Sequence, residues 1–318
     1  MNEQLIITTS PHLKHPTTTT MIMLDVLIAL TPAAIAAVII HGWYALLMIV
    51  TTVGVAVGAE FLFNLCVKKT QTISDLSAAV TGLILALNLP TTTELWQCAI
   101  GAIFAIVLVK CVFGGIGCNF ANPAITARVF LVLAFASVGG GAIAGNPWTG
   151  GYVDLVGGAT PLPLLGAGTP PSELPTLLEM LLGLRGGAIG EGCIIALLIG
   201  GIYLIVKRVI KWEVPTVYIA TVFLLSWIIS GDFVSAIYYV LAGGVVLAAF
   251  FMITDYSTTP INTLGKIVFA IGVGLITVLI RFFGSYPEGV SFAILIMNIV
   301  SPYIEKLCAK RPFGGVKK

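Results

Sequence analysis

At 318 residues, with 58% apolar content and only 16 basic and 14 acidic side chains, the chain lacks the charged surface of a water-soluble fold, in which about a quarter of residues are charged. The composition is that of an integral membrane protein, and a net charge of +2 gives no reason to expect a nucleic-acid partner. Ten helices of about 20 residues would use about 200 residues, leaving short connections and no separate soluble domain.

Residues 1–20 are polar and threonine-rich, with neither an apolar core nor a small-residue cleavage site. They do not form a signal peptide, so the first span is expected to direct insertion. Apolar runs of bilayer length predict spans at 22–41, 43–67, 73–89, 95–113 and 124–139, and a second set at 188–206, 215–231, 234–253, 264–284 and 289–307. The chain therefore divides into a membrane unit 1–139, a loop 140–187 and a membrane unit 188–318. Within the glycine- and proline-rich loop, Ser172 is placed to cap a short helix from Glu173 to Leu184, whose leucines suit a membrane interface.

Ten spans put both termini on one side. That side receives 14 of the 16 basic residues, among them Lys14, Lys68, Lys69, Lys110, Arg128, Lys207 and Lys266, and only Arg185 and Arg281 fall opposite. The positive-inside bias places the termini in the cytoplasm and the loop outside. Five spans on either side of one loop suggest two inverted five-helix repeats in an all-α polytopic fold. A short third span in each set ends in a threonine-proline stretch, Leu83–Thr93 and Leu247–Pro260, which is the sequence pointer to a midplane site in such repeats. On that basis the Leu89-Pro90 break and the Thr254-Asp255 segment are expected to face each other.

Six cysteines without a C-x-x-C pair and three histidines without ligand spacing give no metal, iron-sulfur or haem motif. Five acidic residues fall within or beside spans: Asp25, Glu60, Asp75, Glu191 and Asp255. Ionisable groups at that depth mark a functional pathway or a buried pair. Glu60 is the deepest, and it reads either as a cation-handling residue, with Asp255 as a second candidate, or as a paired structural carboxylate. Lys110 is either its counter-charge or a side chain snorkelling to the interface.

The loop contains Asp154-Leu155-Val156-Gly157-Gly158-Ala159-Thr160-Pro161. Small flanking residues leave the Thr160 hydroxyl sterically open, although Gly-Gly-Ala-Thr-Pro also makes an ordinary turn. This stretch resembles the flavinylation motif of the RnfD and NqrB family, and the resemblance extends to Ser10-Pro11-His12, the segment Gly114–Arg128 (GGIGCNFANPAITAR), Gly186–Glu191 (GGAIGE), Thr254-Asp255 and Tyr286–Asn298. It implies FMN esterified through its phosphate to Thr160, with Asp154, Gly158 and Ala159 as part of the signal read by an extracytoplasmic flavin transferase. The family usually has Ser or Thr at the position of Gly157. It further implies a non-covalent riboflavin near Asn119, Phe120, Asn122 and Arg128, whose amides suit a flavin's pyrimidine edge; an Asn-Pro turn capping the fifth span is the alternative. The implied function is that of a flavin-carrying membrane subunit of the Rnf complex in the bacterial cytoplasmic membrane, alongside RnfA, RnfB, RnfC, RnfE and RnfG, coupling electron transfer between ferredoxin and NAD to Na⁺ or H⁺ translocation. A cofactor-free inverted-repeat channel or secondary transporter is the competing class.

Overall fold

The computed structural model describes residues 17–135, 138, 161–166, 174–183, 186–284 and 288–309, and the named elements among them are all helical. Helix α1 (Thr19–His41) starts where the Thr18 hydroxyl accepts from Met21 N–H, and it is followed across Gly42 by α2 (Trp43–Val67). A 3₁₀ turn (Ile73–Asp75) leads into α3 (Ser77–Leu87). α4 (Leu95–Ile103) continues as a π-helix over Phe104–Cys111, and α5 (Pro123–Ala134) follows. Two short helices, α6 (Pro161–Gly166) and α7 (Leu177–Leu182), precede α8 (Ile194–Val206) and α9 (Glu213–Ser230). α10 (Phe233–Leu241) and α11 (Val245–Phe251) meet at a 57° bend, and α12 (Thr263–Phe283) and α13 (Val290–Leu307) complete the order.

Five helices, α1, α2, α9, α12 and α13, are long and apolar enough to cross a bilayer, and the bent α10–α11 pair makes six. The other four apolar segments are shorter than the sequence suggests, for local reasons. Leu76 takes a left-handed conformation, φ 62°, and the Asp75 carboxylate accepts from Ser77 N–H and Oγ at 2.9 and 2.6 Å, so α3 cannot start before Ser77. At the other end of α5, Phe135 turns to extended backbone. Ahead of α8, residues 186–191 fold inward, and Gly190 and Ile189 N–H donate to the carbonyls of Leu87 and Leu89 at 2.8 and 3.0 Å. Gly190 is required there, because a Cβ would lie 2.5 Å from that of Leu87. In the loop, α7 is capped by Thr176 with Glu179 in a reciprocal box, because Pro175 disfavours helix in the residue before it; Ser172 and Glu173 lie outside the described residues.

The two sets of helices pack by the same scheme. α2 packs on α3 and α4, as α9 packs on α10, α11 and α12; α4 contacts α5, as α12 contacts α13; and the sets join through α1 on α8 and α5 on α13. The α1–α8 seam is close enough that Gly200 faces the Ala29 carbonyl, where a Cβ would stand 2.0 Å from the oxygen. Small residues allow such approach where apolar side chains have no advantage over lipid. Gly200→Ala should therefore part the seam and destabilise the chain by about 1–3 kcal/mol, read as a lower denaturation temperature in detergent. An unchanged midpoint would show that the seam carries no packing energy.

Candidate functional site

The described basic residues, except Arg128 and Arg281, gather at one end of the bundle. There the start of α1 meets the end of α8, with Tyr203 donating to Asp25 at 2.8 Å and Lys207 3.9 Å from the same carboxylate. Lys211 at the α8–α9 turn donates to Thr263 at the start of α12, and Asn262 reaches the Cys308 carbonyl after α13.

At this end a cavity enclosing about 760 Å³, its open mouth included, lies between the two helix sets. Apolar walls come from α1, α3 and α11, including Met23, Ile84 and Phe251. The polar groups come from Ser77, Lys110, Asn119, Asn122 and Asp255. Asn122 serves both readings of its sequence: its Oδ1 caps α5 by accepting from Ala124 and Ile125 N–H, while its Nδ2 donates to Asp255 at 3.4 Å. Asn119 Oδ1 is buried without a hydrogen-bond partner among the described residues, a polar atom that a ligand's N–H would satisfy. Burial pushes the Asp255 carboxyl above the usual carboxylate range, against hydrogen bonds from Ser257 and Thr258 that favour its charged form. Phe120 does not line the cavity and is exposed.

Beside the cavity, Lys110 Nζ sits 2.8 Å from Glu60 Oε1 and 2.5 Å from Ser77 Oγ, with both charged side chains 2% exposed. Lys110 is thus the counter-charge of Glu60 and does not snorkel. Thr72 donates to the same carboxylate oxygen at 2.7 Å, and Asn64 donates to Thr72. Glu60 Oε2 has no partner among the described residues. The α4 register that aims Lys110 inward falls in the π-helical stretch.

Arg128 departs from its expected company. It donates to Asn88 at 2.9 Å, pairs with Glu288, and lies 3.7 Å from Glu191. Asn88 follows the far end of α3, about 16 Å along the axis from Ser77, so Arg128 belongs neither to the cavity nor to the basic end where its sequence position had counted it. The Leu89-Pro90 break also points there, bound to Ala188 and Ile189, whereas Asp255 lies at the basic end. The two breaks therefore do not face each other: one lies at the basic end and the other at the opposite end. Sequence reading missed the role of Arg281, which donates to the Tyr239 and Ala242 carbonyls at 2.5 and 3.0 Å and so pairs the groups left open where α10 ends. Its signal was an arginine inside an apolar run. Asn88 and Glu288 had no comparable signal.

Thr160, Asp154, Gly158 and Ala159 lie outside the described residues. Downstream of them, Leu162 and Leu165 of α6 are buried with Leu174, Met180, Tyr238 and Tyr239 in a small second core.

The model of the NQR2, RnfD, RnfE family matches residues 6–314. The chain belongs to this family. Among its relatives, it is 42% identical to the D subunit of the Na⁺-translocating ferredoxin:NAD⁺ oxidoreductase complex of Acetobacterium woodii, over 100% of this chain and 98% of the relative. It is 39% identical to the D subunit of the proton-translocating ferredoxin:NAD⁺ oxidoreductase complex of Clostridium ljungdahlii, over 97% and 96%. It is 36% identical to the D subunit of the ion-translocating oxidoreductase complex of Halorhodospira halophila, over 96% and 95%.

Removing one member of a buried ion pair leaves an uncompensated charge and costs about 3–5 kcal/mol. Glu60→Gln and Lys110→Met should each destabilise the chain on that scale, and the double variant should recover much of the loss in a denaturation double-mutant cycle. Additive losses would show that the two charges are not coupled. Asp255 yields a pH test, because a carboxyl with a raised folded-state pKa penalises folding only where it is ionised. Asp255→Asn should be more stable than the parent at neutral pH, and that advantage should fade as pH falls through the raised pKa and vanish below the ordinary value of 3.8.

Proposed function

We propose that the chain is a flavin-carrying membrane subunit of an ion-translocating ferredoxin:NAD oxidoreductase complex. The observation that carries this reading is the match along almost the whole chain to subunits named for that complex, joined to a cavity whose donor set suits a flavin. In this reading the fold is ten spans in two inverted repeats, with both termini in the cytoplasm of a bacterial cell and the 140–187 loop outside. The shared packing scheme of the two helix sets and the gathering of basic residues at one end support it.

Thr160 is assigned as the covalent FMN acceptor, with Asp154, Gly158 and Ala159 as the signal for a flavin transferase. The burial of Leu162 and Leu165 against α10 and α12 supports it, since it anchors the chain just after Thr160 to the rigid bundle. A second, non-covalent flavin, riboflavin, is assigned to the cavity at the basic end. There Asn119 and Asn122 offer amide groups to a pyrimidine edge, and Met23, Ile84 and Phe251 supply apolar walls. Flavin, when bound, supplies one- and two-electron chemistry; the chain supplies attachment, orientation and a low-dielectric setting. Glu60 is assigned to ion handling, supported by its burial and by its unpartnered Oε2. The remaining Rnf subunits are the assigned partners.

When the chain is produced with an active transferase, its denatured band should fluoresce as a flavoprotein. Thr160→Ala should abolish that signal and Thr160→Ser should keep part of it, because Ser retains the hydroxyl. A wild-type band without flavin would favour the cofactor-free channel, and full fluorescence in Thr160→Ala would move the acceptor elsewhere.

A further inference from the structure

A second cavity, enclosing about 490 Å³ with its open mouth included, opens at the basic end between the α8–α9 turn, the segment after α11 and the first turn of α12. Arg208, Lys211 and Lys266 line it with Tyr256 and Thr259, and among the described residues no acidic side chain does. Among the same residues, none of these three cations has a carboxylate within ion-pair distance. Lys211 donates to Thr263 Oγ1, and Lys266 Nζ stands 6.0 Å over the Tyr256 ring. Lys211 and Lys266 repel each other, an effect that Glu213 in the first turn of α9 opposes.

The surroundings add to the positive potential. Lys266 lies in the first turn of α12, where the helix already carries partial positive charge, and Asn262 makes no side-chain cap there. Arg208 holds φ 58°, a conformation that helix ends usually give to glycine, so a guanidinium stands where a smaller residue would be less strained. Lys211 and Lys266, with Arg208 on the same lining and an uncapped helix start, outweigh the one nearby carboxylate, Glu213, and form a site for an anion with several acceptor oxygens.

We propose that this cavity binds a phosphate group, supplied by the headgroup of an anionic phospholipid. Basic pockets between spanning helices are suited to such headgroups. The rim argues for a lipid as the source, because Ile261 and Leu264 beside the cavity are 77% and 61% exposed, offering apolar surface along which acyl chains lie. Trp212, next to Lys211, is also exposed and is the residue type that settles at the membrane-water boundary. The inference requires no bound flavin, so it stands or falls apart from the assignment of Thr160.

The test uses the full chain in nanodiscs of phosphatidylcholine, with or without phosphatidylglycerol, read by thermal unfolding and by native mass spectrometry of retained lipid. Phosphatidylglycerol should raise the unfolding temperature and remain bound. Lys211→Gln/Lys266→Gln should weaken its retention roughly thirtyfold, as two lysines at about 1 kcal/mol each would. Lys68→Gln/Lys69→Gln, at the same end but outside the cavity, should leave it unchanged. Arg208→Gln, at an exposed position, gives a milder loss should the double variant fold poorly. In pure phosphatidylcholine, inorganic phosphate that stabilised the parent but not Lys211→Gln/Lys266→Gln would keep the site and assign it to soluble phosphate. Equal lipid retention in parent and variants with no response to phosphate, or an equal loss in Lys68→Gln/Lys69→Gln, would overturn the proposal.

Discussion

Backbone polar groups inside a bilayer have no water to bind, so each must find a partner within the protein, and this chain meets that demand where its spanning segments are interrupted. Where α10 stops, Arg281 donates to two of the freed carbonyls. Past the end of α3, the carbonyls of Leu87 and Leu89 take N–H groups from residues 189 and 190. At the start of α5, Asn122 Oδ1 accepts from two first-turn N–H groups. The first two sets of partners are distant in sequence, and residues 189 and 190 belong to the second helix set while closing an end in the first. The break after α3 thus binds the two sets together alongside their apolar seams.

The same demand explains what could be read from sequence. The apolar runs were legible because bilayer thickness fixes a length, and the long helices α1, α2, α9, α12 and α13 fall within a few residues of their expected bounds. The short segments were misjudged at their ends. Nothing in a hydropathy pattern distinguishes Leu76 as left-handed, or shows that residues 186–191 turn inward to serve another helix. Long-range pairing was legible in part. Lys110 could be named from sequence as one reading of the Glu60 counter-charge, but deciding that over snorkelling depends on how the two helices pack. Asn119, Asn122 and Arg128 are neighbours in sequence, yet the turns of α5 between them carry Arg128 to a different cluster.

Charge is arranged by depth and by end. Within the first helix set, the Glu60–Lys110 pair is neutral as a unit and buried, with Lys110 on the lining of the cavity. Toward the opposite end, Arg128 shares Glu191 and Glu288, and the buried guanidinium of Arg281 feels both carboxylates. Two cations and two anions again balance. The cavity holding Asn119, Asn122 and Asp255 lies toward the solvent-facing lysines, so an occupant would meet oriented dipoles, one carboxyl of shifted acidity and the ammonium of Lys110, itself balanced by Glu60.

The π-helical stretch from Phe104 to Cys111 sets a rule for how this chain can change over evolutionary time. Each such widening is equivalent to one residue inserted into an ordinary helix, and here it brings Val109, Lys110 and Cys111 inward in succession. Deleting a single residue from the stretch would restore ordinary winding and swing every later side chain of that helix by about 100°, carrying the ammonium of Lys110 away from Glu60. Insertions and deletions are therefore not tolerable across these eight residues, where the length of the chain itself is the determinant of which charge faces which.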